Sequence, residues 1–307
     1  WYRPDNQCII VVGDIDVDHT EAQIKKLWAN VTVPANAAQV TKLEVADNDE
    51  PIFVFDKDKE MQNATISIMM KHDAFPDEMK SNQAYYIDSY MKNMISMMFN
   101  QRLEEMKQKS ECPFTSAYGY DGRYMLSSTK DAFTLSAQAK EGKDLEAFKA
   151  IYREAQRVRQ HGFTPTEFDR MKAEYLSQLE SSYSNRDKIT NSKYGDELRY
   201  HFLKNEPIPT IEDEYKIMKQ FIEMPALNYQ VVNEYAKQLI SDSDKNLVAY
   251  IFTQEKAGKD YATEDKMAKA IKEVRAEKIE AYVDNVKSEP LVDETKLPKA
   301  GKIVKET

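Results

Sequence analysis

Cysteine is scarce in this sequence: Cys8 and Cys112 are the only two among 307 residues. A pair so sparse is no disulfide framework, and the sequence leaves open whether the two bridge. Glycine is equally thin, with eight residues scattered singly, so no Gly-rich loop is available to cradle a phosphate. Gly13-Asp14 after an apolar run lacks the spacing of a nucleotide fingerprint. Long apolar runs are missing as well. Runs such as residues 9–12 fall far short of the ~20 residues a membrane helix needs, so no membrane span is expected.

Positive charge is also in deficit. Lys and Arg number 43 against 52 Asp and Glu, a net charge of −9 with a sequence pI of about 5.2. With no basic excess, neither nucleic acid nor an anionic membrane is an expected partner. An acidic surface suits basic peptides, although it more often serves solubility. No serine sits in G-x-S-x-G, and no period of 20–50 residues marks a solenoid. No basic-then-apolar leader opens the chain, and Trp1 stands first in place of Met, which reads as a processed or cut end.

Histidine is the absence with most chemical meaning. Only His19, His72, His161 and His201 occur. A helical zinc site needs two imidazoles on one face, a third ligand and a carboxylate that activates metal-bound water. No two of these histidines share a helix face, and none lies in H-x-x-E-H or H-E-x-x-H; His19 with Glu21 lacks a second His. All four read as surface or cap residues, so no metal and no catalytic residue is expected in this chain.

What is present is a globular mixture, 41% hydrophobic and 31% charged. Residues 9–12 read as a buried strand with Cys8 at its start, and Asp18 with Glu21 as a capping box for a helix carrying Ile24, Leu27, Trp28 and Val31. Residues 34–49 are polar and aperiodic. Strands follow at 52–55 and 64–70, then a long helix with Ile87, Tyr90, Met91, Met94, Ile95 and Met98 on one stripe. Met91, Met94, Met97 and Met98 read as core rather than as an adaptable binding surface. A strand pair spans 113–129 and 132–140, turning at 129–131 or at the rival Asp121-Gly122, with Cys112 in the turn before it. Helices are expected to 161, from Thr164-Pro165 with Glu167 in a capping box, and over 188–203, 212–222 and 227–240. A strand at 247–252 and a helix at 263–282 with a solvated Lys/Glu face close the series. Tyr183, Tyr194 and Tyr200 could line a peptide cavity, but outward aromatic rims are the commoner arrangement. This order predicts an α+β fold, a mixed or antiparallel sheet with helices packed on one face. From residue 284 the chain gains Pro290, Pro298 and Gly301 and reads as linker, giving a 1–283 domain and a 284–307 tail.

Trp1-Tyr2-Arg3-Pro4-Asp5-Asn6 followed by Val11-Val12-Gly13-Asp14-Ile15-Asp16 resembles the opening of the C-terminal-type domain of pitrilysin-family (M16) metallopeptidases. Asn100-Gln101-Arg102-Leu103-Glu104-Glu105-Met106-Lys107 running into Pro113-Phe114-Thr115-Ser116-Ala117 is similar to that family's helix-to-strand segment. Gly162 to Phe168 is similar to its helix start, and the tail from Glu289 to its mid-protein linker. The resemblance implies an M16 metallohydrolase-type (LuxS/MPP-like) fold and a clamshell parent that encloses peptides. Its zinc lies on an H-x-x-E-H helix upstream of the region matched here. The implied cofactor is therefore zinc in the parent and none in this chain. The implied partners are an upstream zinc-binding domain, a downstream second half and a peptide substrate. The Arg and Tyr with which the family positions substrate fall by alignment on Lys107 and Phe114, and neither matches: Lys offers no bidentate fork and Phe no hydroxyl. The resemblance thus implies the copy beside the zinc domain, a non-catalytic, substrate-enclosing lobe. The alternatives are an inactive M16-like partner subunit and an unrelated peptide-binding module. The sequence carries no address; an exported, for instance periplasmic, parent is compatible with it.

Overall fold

The structure is a computed structural model that describes residues 2–285 and Gly301. Alternating side chains along β2 (Ala64–Asp73) set the architecture, because successive residues of a strand point to opposite faces. Ile66, Ile68 and Met70 point one way; Ser67, Met69 and Lys71 point the other. β2 pairs antiparallel with β4 (Lys130–Ala139) on one side and β5 (Leu247–Gln254) on the other. β3 (Phe114–Arg123) adds antiparallel to β4, and β1 (Ile52–Asp58) adds parallel to β5. The result is a mixed five-stranded sheet in the order β1-β5-β2-β4-β3.

Helices cover one face, as the sequence predicts. α2 (Gln83–Lys107) lies on β3 and α3 (Asp144–His161) on β2 and β4, while α8 (Glu264–Ala276) packs on α3 and β1. Ile66, Ile68, Leu135 and Ile251 meet Met94, Met98, Phe99, Phe148 and Ile271 in one core. The methionine stripe is accordingly core, with Met94 and Met98 buried and Met91 and Met97 half-buried. α2 approaches β3 so closely that a Cβ on Gly119 would stand 2.6 Å from the Phe99 ring. Asn100 holds that approach by bonding both the N–H and the carbonyl of Gly119, at 2.7 and 3.1 Å. α4 (Pro165–Ser184) starts from a complete capping box, Thr164 with Glu167, after Gly162 ends α3 at φ +72°. α5 (Asn191–Lys204), α6 (Ile211–Glu223) and α7 (Tyr229–Leu239) complete the helical side.

The opposite face of the sheet carries a small cluster of Met69, Ala132 and Val248, and beside it Tyr118, Tyr120, Tyr250 and Phe252. Tyr118 stacks on Tyr120 and Tyr250 on Phe252, with ring centroids 6.0 and 4.7 Å apart. Tyr118 and Tyr120 remain exposed.

Several local expectations are corrected. Residues 9–12 are extended but join no ladder, and Cys8 beside them is exposed rather than a buried hydrophobe. A short apolar run suits a strand, yet a strand needs a partner edge, and none lies there. The helix after them, α1 (Val17–Leu27), is capped by Asp16, not Asp18: the Asp16 carboxylate accepts from the His19 N–H at 2.9 Å. The β3–β4 connection is residues 124–129, because Ser127 Oγ collects the N–H groups of Thr129 and Lys130 while Met125 takes φ +49°. Asp121-Gly122 therefore stays inside β3. Cys112, in the connection between α2 and β3, is buried. The last helix stops at Ala276, after which Ile279 still reaches the core. Of the 284–307 tail only residues 284, 285 and 301 are described; the rest lies outside the described residues.

Candidate functional site

Among the charged groups drawn into the interior, two constellations stand out. The first ends the helix-covered face of the sheet. His72, Asp121 and Asp131 fall in phase with Met70, Gly119 and Phe133, so all three turn under the start of α2. There Asp88 and Lys92, four residues apart, occupy one face of the helix. Lys92 Nζ lies 2.9 Å from Asp121, 3.1 Å from Asp88 and 3.6 Å from Asp131. His72 Nε2 sits 2.7 Å from the other Asp121 oxygen, and Tyr235 of α7 donates to Asp88.

The electrostatics follow from one ammonium among three carboxylates. Asp121 is 1% exposed. Burial pushes its pKa up, but the bonds and charges of His72 and Lys92 outweigh that and leave it depressed. Burial likewise disfavours charged His72, and Asp121 overrides it, so the imidazole pKa is raised. Asp131 moves up, chiefly through burial, with the neighbouring Asp121 charge adding to it. The cluster borders a cavity of about 370 Å³ that also takes Asp77, Lys80, Tyr85 and Glu206 in its wall. Acids and bases nearly balance there, which suits a pinned, pH-responsive junction rather than catalysis.

The second constellation is Arg102, 1% exposed near the C-terminal end of α2. Its guanidinium grips Glu167 with Nε at 2.6 Å and Nη2 at 2.9 Å, reaches Glu154 at 3.1 Å and donates to the Gly162 carbonyl at 3.0 Å. The rings of Tyr282 and Phe163 lie 4.2 and 5.0 Å from its central carbon. Glu167 also accepts from the Thr164 N–H, so one carboxylate caps α4 and neutralises Arg102. The sequence displays Glu167 as a cap and Arg102 only as part of a helix; a basic residue in phase with the apolar stripe, one before Leu103, was the available signal.

The two residues marked by alignment are not brought together with either constellation. Lys107 ends α2, partly exposed and paired with Glu104. Phe114 opens β3 and is fully buried in the core. Among the histidines, His19 and His201 are exposed, and His161 bonds the Ile279 carbonyl at 2.8 Å. His72 alone departs from the surface-or-cap expectation, because it is half-buried against Asp121. Among the described residues, no three His, Cys, Asp or Glu side chains converge as metal ligands, and Asp121 already serves Lys92. This donor set does not fit zinc.

Of the three tyrosines, Tyr194 lines an open cavity of about 670 Å³ between α2, α5 and α6, together with Tyr85, Tyr86, Tyr175 and Glu214. Burial raises the Glu214 carboxyl pKa. Tyr183 instead stacks on Tyr215 at 4.4 Å, and Tyr200 stays at the surface beside Arg199 and Lys204.

Residues 1–175 match the family model described as "Peptidase M16 inactive domain". Over 245 residues the chain is 25% identical to the Escherichia coli K12 protein named "Probable zinc protease PqqL", covering 80% of this chain and 26% of that one. It is 24% identical over 240 residues to an Arabidopsis thaliana protein named "Zinc protease PQQL-like", covering 78% and 21%. The chain thus spans about a quarter of the length of these curated relatives. The crystal structure of the first half of the periplasmic protease PqqL from Escherichia coli superposes with a TM-score of 0.75 at 22% identity. It covers 92% of this chain and 59% of that one, which shows a shared fold.

Proposed function

Because the chain belongs to the family of peptidase M16 inactive domains, we propose that it encloses and aligns peptide within a zinc-dependent endopeptidase whose metal is held elsewhere in a longer polypeptide. The lobe itself is non-catalytic. Its contribution would be orientation of a bound chain rather than bond making. Zinc protease relatives about three to four times as long support a parent with further domains, an upstream zinc domain and a downstream second half reached through residues 284–307. Lys107 and Phe114, lacking a fork and a hydroxyl, support the copy beside the zinc domain over the substrate-positioning copy.

The observation that carries the reading is the family match through residue 175 in a chain whose four histidines stand apart. The sheet face bearing Tyr118, Tyr120, Tyr250 and Phe252, free of helices among the described residues, supplies a surface suited to an unfolded peptide. The test compares residues 1–307 with a longer protein that includes the preceding domain. The chain alone should hold no zinc and cleave nothing; the longer protein should do both. Stoichiometric zinc and chelator-sensitive cleavage in residues 1–307 would overturn the reading.

A further inference from the structure

The described part of the chain contains an apolar run followed by a helix in which no side chain is buried. Ile9 and Val11 are each 47% exposed in an extended run without a ladder. α1 buries none of its residues, and Leu27 and Trp28 at its end are 76% and 48% exposed. Yet the helix has an N-cap at Asp16 and a Glu21–Lys25 ion pair. An 11-residue helix is marginal by itself, and most helical stability in proteins comes from packing an apolar face. The run 9–12 only faces Leu198 and Phe202 of α5 across an open gap.

The same chain shows what such a unit is for. β5 followed by α8 repeats the order: an apolar run, a polar turn and a helix with an acidic first turn. There the strand is paired on both sides, and Met267, Ala270, Ile271 and Val274 are fully buried. β5–α8 thereby closes the present sheet. The earlier copy is separated from it by the polar stretch 34–49, whose later part is tied to this lobe. Val45 N–H bonds Thr129 Oγ1 at 3.2 Å, Lys71 reaches the Ala46 carbonyl at 2.8 Å, and Asn48 N–H bonds Asn246 Oδ1 at 3.1 Å.

We propose that residues 8–31 are the closing strand and helix of the preceding domain of the parent, residues 9–12 joining its sheet and the apolar side of α1 joining its helix layer. The lobe then begins near residue 45, not at residue 1. The occupant must be an α/β domain whose sheet takes up a strand and whose helix layer takes up a helix, since here β5 lies between two strands and α8 packs on α3. The inference rests on the reading of a parent with an upstream domain.

Hydrogen exchange with zinc analysis on the same samples tests it. In residues 1–307 the amides of 9–12 should exchange at nearly unprotected rates; in the protein extended upstream they should slow by at least ~100-fold, as paired strands do. Protection already present in residues 1–307, equal at all concentrations, would place the unit on this lobe and overturn the inference. Protection that grows with concentration would assign it to a second copy and overturn the inference equally. A zinc-loaded extended protein with unprotected 9–12 would sink the docking while sparing the peptidase reading. Protection without zinc would do the reverse. Val11→Asp should leave the melting temperature of residues 1–307 unchanged and lower that of the extended protein; an equal loss in both would count against the assignment.

Discussion

At the scale of the residue, Arg102 and Asp121 show how charge is kept inside this lobe. Removing one partner of a buried ion pair strands the other, at a cost of about 3–5 kcal/mol. Arg102→Met leaves Glu167 buried without its cation and Glu154 with Arg157 alone, so the unfolding free energy from urea titration should fall by that order. A loss under about 1 kcal/mol would mean that the guanidinium is dispensable. His72 gives a pH test. Its pKa is raised in the fold, so the His72–Asp121 ion pair stabilises fully below the unfolded value of about 6.5 and is lost as pH climbs through the folded value. Asp121, depressed in the fold, works in the other direction: its contribution is present above about 3.9 and lost as pH falls. Heating scans from pH 6 to 9 should show a decline of a few degrees in the native protein that His72→Gln removes. Gly119→Ala would drive a methyl into the Phe99 ring, and overpacking of this kind costs about 1–3 kcal/mol.

At the scale of the element, what could be read ahead of the structure depended on whether the signal was local. The Thr164–Glu167 capping box, the stripe on α2 and the alternation of β2 and β4 are local, and each became the element it implied. Where partners decide, local reading failed. Residues 9–12 have the composition of a strand and no edge to join, and Arg102 acquires its meaning only from residues 52 and 65 positions away. The β3–β4 turn was hidden because Ser127, an unremarkable residue in sequence, organises it with its hydroxyl. The contrast between elements is measurable. Phe148→Ala in α3 should cost about 3–5 kcal/mol, as large core truncations do. Leu27→Gln in α1 should stay within about 0.5 kcal/mol, as surface changes do. A comparable loss for Leu27→Gln would show that α1 is packed after all.

At the scale of the whole molecule, the α+β class and the helices on one face were readable because the order of elements allows few layer arrangements. The ionic junction of His72, Asp88, Lys92, Asp121 and Asp131 was not, since it assembles from three strands and a helix. The helix-free face leads to a prediction for the complete enzyme. Tyr118→Ser with Tyr120→Ser should raise KM for long unfolded peptides several-fold and leave the stability of this lobe and the cleavage of very short peptides unchanged. Equal effects on long and short peptides would place that face outside the substrate's path.

The stretch after α8 has a mechanical consequence. Tyr282 donates to Glu105 and covers Arg102, while Asp284 is held by Thr166 and Arg170. Tension on the stretch after α8 would therefore load the last turns of α2 and the first turn of α4 rather than peel α8 from its end.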